Sequence, residues 1–578
     1  MAKEDTTMAD GFHAGLFDEL EALYPDSSGG AAQYGVAAAK GTVAGVHILL
    51  TGLTPGQPVS IEVSGPHTAF KLFELVPVPV EVNTGARLRT AYLHDDVNET
   101  LIRRAPFYIY EALKPLYNLL LPTGPAAALA FKTPIECCKA RQAVEWRFTI
   151  AHAGEVRDLR FVVEQFPCRV PPASEHTHQY VNWISYANIA KWHNAPIGTP
   201  AYEAMLRKYL RAAVFSRQNI LPIPLGSLFE REAGQPVLRT ERLIRLIRLG
   251  EEVGLRLFEG SAFCSRSAGQ ADDDAFFRSL DMDAMHSPDE VAAAFRKAAF
   301  AAFDYGTGAK VSLTGEAVGT PAARETLASM AKQLFAFLQE HDLVSRWTQC
   351  LMDEPNDALA AAYREIAQTV KPLMPGVKIL EPVLPTHALD GAVDIWCPSI
   401  DVYERDRAYY DGRVAQGDGL YVYTCLTPGG NYMNRMLDMQ RLRQVLLFWM
   451  PAVYPNVQGF LHWGLNQYPA GVNPFERSST MFSEQVLEFH PKRAMFLPAG
   501  DCCIFYPGYD EPLLSTRSEA HRLGLEDLCL LQTLPAGEAR ALAQTVARGY
   551  ADYTKSIPVY RAAKLRLLEA AQNAKNNG

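Results

Sequence analysis

The chain has 578 residues, 48% hydrophobic and 21% charged, an ordinary globular composition on a length too great for one core. A formal net charge of -9, with no dominant acidic or basic block, excludes the concentrated positive footprint of a nucleic-acid binder. No window approaches about 18 uncharged apolar residues, so no membrane span is expected.

The start of the chain, Met1 to Ser28, lacks both a basic head and an apolar run of about 7–15 residues, so no secretory signal is read and a cytoplasmic location is expected. The ten cysteines include the adjacent pairs Cys137-Cys138 and Cys502-Cys503, but no CxxC or Cys/His spacing. Reduced, mostly buried thiols follow, with no metal or organic cofactor implied. Residues 1–35, polar and Gly/Ala-rich, predict a flexible N-terminal arm. From 36 to 172, short alternating runs such as Val59–Val63, Val144–Phe148 and Leu159–Val163 predict a β-sandwich, closed by a linker at Pro167–Pro172.

The rhythm then changes. Over 173–500, short apolar runs alternate with amphipathic helices, the pattern of parallel βα units. The predicted strands are Tyr180–Tyr186, Asn219–Pro224, Gly254–Glu259, Trp347–Asp353, Lys378–Val383, Val393–Ser399, Gly419–Cys425 and Gly459–Leu465. Helices are predicted at Tyr202–Phe215, Glu241–Val253, Arg324–His341 and Asn356–Leu373. Eight strands in series fit a catalytic (β/α)8 TIM-like barrel, with catalytic groups at the strands' C-terminal ends. A doubly wound sheet would fit the alternation too, but lacks its Gly-rich phosphate turn. The long connection from Gly260 to about Thr320, with a predicted helix near Pro288–Phe303, is expected to wall a pocket. Residues 501–578 predict a C-terminal extension packed on the barrel: a strand at Cys502–Tyr506, then helices Ser518–Leu534 and Gly537–Tyr553.

The chemistry concentrates at Asp353-Glu354-Pro355, where the fourth strand must emerge. Neighbours in an extended chain point to opposite sides, so both acids reach one pocket only if the chain bends, which the following proline favours. Such a pair can divide labour, one carboxyl protonated as general acid and the other ionised to stabilise positive charge, as glycoside hydrolysis requires. The bland alternative is that both acids cap the next helix.

Other strand ends carry groups that hold sugars: Glu259, Trp396, Asp401, Tyr421, Tyr423, Trp463, Asn466 and Tyr468 are the candidate substrate-binding residues. Aromatic rings cover pyranose faces, while Asn and acids bond hydroxyls; for any one aromatic, a core position is the competing reading. Strand seven ends without a carboxylate, which leaves Glu259, Glu381 and Asp401 as candidates for a nucleophile about 5 Å from the acid. Failing those, the nucleophile would be a 2-acetamido group of the substrate.

The segments Met352–Pro355, Val393–Pro398, Tyr421–Cys425 and Gly459–Trp463, then Ala499–Gly508, Ser515–Arg517 and Gly524–Asp527, resemble glycoside hydrolase family 123 and its uncharacterised relatives over roughly residues 180–535. The resemblance implies an N-terminal sandwich, a catalytic barrel and β-N-acetylgalactosaminidase activity by substrate-assisted retention. Carried over, Asp353 would orient and polarise the acetamido group and Glu354 would serve as general acid/base. The expected partner is a glycan or glycoside, with no nucleic acid and no membrane; a homo-oligomer stays open. Two rival readings remain: a retaining glycosidase with a separate carboxylate nucleophile, and a non-catalytic carbohydrate-binding protein on a degenerate barrel.

Overall fold

The structure, a computed structural model, describes residues 11–85, 91–92, 100–265, 301–304, 309–310, 321–357, 359–469, 471–481 and 495–577. The alternating runs of the N-terminal region form two facing sheets, one of seven strands and one of five. Val59 and Ile61 on one strand, and Trp146, Phe148 and Ile150 on its neighbour, turn inward while their alternates face water. Phe70 and Phe131 pack edge-on or tilted around the fully buried Trp146. Gly65 lies so close to that indole that any Cβ there would overlap the ring.

The expected N-terminal arm is, in its described part, a component of this core. His13–Phe17 pairs antiparallel with Val43–Thr51. The next two residues, Asp18 and Glu19, are buried and bonded to Arg561 and Lys132. A Gly/Ala-rich composition hid an element whose partners lie far along the chain.

All eight predicted barrel strands are present and parallel: Gln179–Asn182, Ile220–Ile223, Leu257–Gly260, Trp347–Gln349, Lys378–Val383, Ile395–Pro398, Gly419–Tyr423 and Gly459–His462. The sheet runs in chain order apart from the first strand, which joins the last, and the Asn219 amide reaches the Tyr180 carbonyl at 3.2 Å where the first strand meets the second. Val181, Ile220, Leu380, Cys397, Tyr421 and Leu461 fill the lumen. The alternate residues, Leu221, Phe258, Ile379, Trp396 and Phe460 among them, pack outward on the helices.

The predicted helices appear as Pro200–Phe215, Thr240–Glu252, Pro321–Glu340 and Ala360–Val370. The first starts with Thr199 accepting from the Tyr202 amide and a proline in its first turn. Most of the helix expected near Pro288–Phe303 lies outside the described residues, and Ala301–Asp304 is a strand. No described helix is long and apolar enough to cross a membrane. All ten thiols are free, and only Cys137 is exposed.

The C-terminal extension does more than pack on the barrel. Tyr506–Pro507 and Pro512–Ser515 join the edge of the seven-stranded sheet, with Leu514 opposite Leu113 and Ser515 opposite Ala112. Ser515 then caps the helix Thr516–Leu531, which is buried along its whole length although rich in charge. Its charges are paired: Arg517 with Glu111 of the sandwich at 2.5 Å, Glu519 with Lys132 at 2.8 Å, and Arg522 with Glu519 and Glu526. The expected helix Gly537–Tyr553 ends by Ala543, and a further helix, Ile557–Asn577, packs Tyr560, Ala563, Leu567 and Leu568 into the core.

Candidate active site

The fourth strand ends at Gln349, and the chain from Cys350 to Glu354 forms a tight turn at the C-terminal end of the barrel. Asp353 and Glu354 both have left-handed backbones, with φ of 71° and 49°. The bend at the acids is therefore a double left-handed turn and not an extended pre-proline kink. Non-glycine residues hold such angles only where the surroundings impose them, at about 1–3 kcal/mol each.

Those surroundings come from the fifth strand. Glu381, fully buried, accepts from the amides of Leu351 at 2.9 Å, Met352 at 3.3 Å and Asp353 at 2.6 Å. It also accepts from Cys350 Sγ at 3.0 Å and from the Tyr363 hydroxyl at 2.9 Å. Burial raises its pKa, and the bonds from Cys350 and the amides work the other way. The Glu354 amide donates to the Pro382 carbonyl at 2.8 Å. Glu381 is thus committed to the turn and unavailable as a nucleophile.

The helix-capping alternative fails on distance. The next helix begins at Ala360 without a side-chain cap, and it is Asn356 that accepts from the Leu359 amide. Glu354 instead accepts from the Tyr423 hydroxyl at 2.8 Å, so the ends of strands four and seven meet. Tyr423 belongs to an aromatic group at the top of the lumen with Tyr421, Trp463 and Trp183.

Two further carboxyls stand behind these rings. Glu259 accepts from Trp183 Nε1 at 2.6 Å, and its other oxygen has no partner among the described residues. Burial pushes its pKa up to about 7, the Trp183 bond opposes this, and the charge of Glu381 adds to it. Asp501 accepts from Trp463 Nε1 at 3.2 Å and is likewise raised by burial to about 7. His462 Nδ1 accepts from the Gly464 amide at 3.1 Å, which leaves Nε2–H facing Asp501 at 3.5 Å. Burial and the nearby Arg435 hold that ring neutral.

Of the candidate sugar-binding residues, Tyr423 bonds Glu354 and Trp463 belongs to the same aromatic group. Glu259, 2% exposed, lies behind Trp183, and Tyr421, 4% exposed, sits deeper in the lumen. Asp401 accepts from Ser399 Oγ at 2.6 Å in the first turn of the helix Ile400–Arg405. Three candidates are corrected. Trp396 faces outward, its indole donating to Asp418 and its ring packed on Tyr409 and Tyr410. Asn466 is fully buried and ties the loops together through Ser185. Tyr468 is buried with its hydroxyl on the Phe505 carbonyl at 2.6 Å. Sequence reasoning passed over Trp183, whose placement one residue beyond the first strand is the signal that could have found it, and over Tyr363 and Asp501. Among the described residues, no group of three or more His, Cys, Asp or Glu is arranged to hold a metal.

Residues 292–534 match the family model described as Glycoside hydrolase 123, catalytic domain. Among solved structures, a family 123 glycoside hydrolase from Clostridium perfringens is similar at 13% identity, with a TM-score of 0.66, over 98% of this chain and 97% of that one. At that identity the likeness is one of fold. A beta-glucuronidase from Parabacteroides merdae is 11% identical over 84% of this chain and 52% of its own, but its TM-score of 0.30 carries no argument. No curated protein matches the sequence. Residues 292–534 thus match a glycoside hydrolase family 123 catalytic domain, as the motifs around the acid pair implied, and the fold is that of a family 123 enzyme over nearly the whole chain.

Proposed function

We propose that this glycosidase removes terminal β-linked N-acetylhexosamine, N-acetylgalactosamine preferred, with retention and with the substrate's own acetamide as nucleophile. The observation that supports the reading is the adjacent pair Asp353-Glu354 on a left-handed turn at the end of the fourth strand, with Glu381 consumed by that turn and Glu259 buried behind Trp183. A retaining enzyme with a protein nucleophile needs a second carboxylate about 5 Å from the acid, and the three residues proposed for that role are otherwise engaged.

In the first step Glu354 gives its proton to the glycosidic oxygen as the C1–O bond breaks. The acetamide carbonyl oxygen attacks C1 and closes an oxazoline ring, while Asp353 accepts a hydrogen bond from the acetamide N–H and steadies the developing positive charge. In the second step the Glu354 carboxylate takes a proton from water, the water oxygen attacks C1, and the ring opens to the retained sugar. Tyr423 orients one Glu354 oxygen, and the rings of Trp183, Tyr423 and Trp463 suit the apolar face of the sugar and the acetamide methyl.

The Clostridium perfringens relative is described as hydrolysing glycolipid glycans, which makes a glycolipid head group the natural complex substrate to try. The free thiols suit a reducing compartment such as the cytoplasm. Nitrophenol release from aryl β-GalNAc, β-GlcNAc, β-galactoside and β-glucoside tests the reading. Turnover confined to the acetamido sugars, and blocked by a thiazoline analogue, supports it; cleavage of the plain sugars at a similar rate sinks it.

A further inference from the structure

We propose that Glu381 is the positioning residue of the acid pair: a buried anion on the fifth barrel strand around which the turn after the fourth strand folds, fixing where Asp353 and Glu354 point. For its effect on turnover this rests on the hydrolase reading above; for its effect on the turn it stands alone.

Three amides, those of Leu351, Met352 and Asp353, converge on one carboxylate together with a thiol and a phenol. Successive amides curled toward one point form a concave site for an anion. Here the anion is supplied by the neighbouring strand, so the site is filled before any substrate arrives. A carboxylate accepts at about four lone-pair positions, and five donors more than satisfy it. Removing it would leave the amides of Leu351, Met352 and Asp353 without this acceptor, and left-handed Asp353 without the contact that holds its backbone. The next residue on the same strand completes the grip, since the Pro382 carbonyl takes the Glu354 amide. Positions 381 and 382 thus hold one acid each by its own backbone.

A glutamine keeps the size but not the function. Its amide nitrogen is a donor, and turned toward the converging N–H groups it orphans at least one of them. Displacements of about 1 Å at reacting groups cost on the order of 100-fold in rate. Glu381→Gln is therefore expected to lower kcat on aryl β-GalNAc by about 100-fold with KM nearly unchanged. Amide hydrogen exchange should quicken at Leu351, Met352 and Asp353, and stay as in the unmodified protein along the third strand.

Wild-type kcat in Glu381→Gln overturns the proposal. So does a loss of kcat that disappears once rates are divided by the folded fraction, since that would be a stability effect alone. Should the unmodified protein cleave none of the aryl glycosides, the hydrolase reading fails, and exchange decides: unchanged rates at the three amides overturn the positioning role. Should Glu381→Gln not fold, Tyr363→Phe replaces it. That variant removes one of five donors and is expected to lower kcat severalfold at constant KM; an unchanged kcat counts against the proposal.

Discussion

Two communities of buried carboxylates divide this molecule, one between sandwich and barrel, the other inside the barrel mouth. At the interface, burial opposes the charge of Glu519, yet Arg522 and Lys132 hold its pKa at about 2. Lys132 also bonds Glu19 at 2.6 Å, Arg561 grips Asp18 through Nε and Nη2, and Glu111 lies between Arg441 and Arg517. In the barrel, burial meets neutral donors instead: an indole for Glu259 on the lumen side, amides and a phenol for Glu381 on the helix side of its strand. There the pKa values rise, to about 7 for Glu259. Equal burial thus goes with pKa shifts of opposite direction, and the presence of a paired cation decides which. Charged pairs join the two layers, while Glu259 and Asp501, beside Trp183 and Trp463, lack a paired cation among the described residues and are raised to about 7.

The contrast breaks most sharply at the acids themselves. Glu354→Gln should lower kcat on poor leaving groups by about 10²–10⁴-fold, with the melting temperature preserved. Asp353→Asn should lose activity chiefly on acetamido substrates. Full activity in either would remove the mouth from the chemistry. Lys132→Met should do the reverse. Glu19 and Glu519 would lose a shared cation, at a cost of about 3–5 kcal/mol in denaturant titrations, while kcat/KM per folded molecule stays put.

The pH dependence separates the two groups by sign. The folded pKa of Glu259, about 7, lies above its ordinary 4.5, so the native state keeps a proton that the unfolded chain releases. Its contribution is whole below pH 4.5 and is lost as pH rises through 7, on the order of 3 kcal/mol in full. Glu519 runs the other way: its contribution is present above 4.5 and is lost as pH falls toward 2. Glu259→Gln should therefore reduce the loss of stability between pH 5 and pH 8, read as denaturant midpoints. An unchanged slope would mean that Glu259 is ionised in the native protein. The smallest effect is expected from Tyr423→Phe, which removes one bond to Glu354 and should change kcat tenfold or less, about 1 kcal/mol.

The barrel was legible because parallel strands buried on both faces leave unbroken apolar runs such as Ile220–Ile223. Its edges were less so. The fourth strand was expected to reach Asp353 and stops at Gln349, because nothing in the residue types Asp and Glu announces two left-handed angles. Trp396 misled because a strand buried on both sides carries no mark of which residues face the lumen; Cys397 does and Trp396 does not. Asn466 and Tyr468 lie past the eighth strand, in chain that turns back into the protein. Trp183 acquires its place through Glu259, 76 residues away, a separation that no local pattern spans. The charged helix Thr516–Leu531 inverts the usual rule, its polar residues lying inside because their counterparts come from the sandwich.

The late strand Pro512–Ser515 has a consequence for biosynthesis. A ribosome that has released residue 172 has made the five-stranded sheet in full, but the larger sheet still lacks the strands that close one edge. Until then the strand Phe107–Leu116 shows a bare row of amides and carbonyls, with Glu111 buried against nothing that can neutralise it. Asp18 waits longer still, for Arg561. The nascent N-terminal layer is therefore an unfinished half rather than a module that folds and waits. Closing a loop of some 400 residues makes completion slow and leaves the sheet edge open to wrong partners, so this chain should depend on chaperones during synthesis more than its two-layer outline suggests.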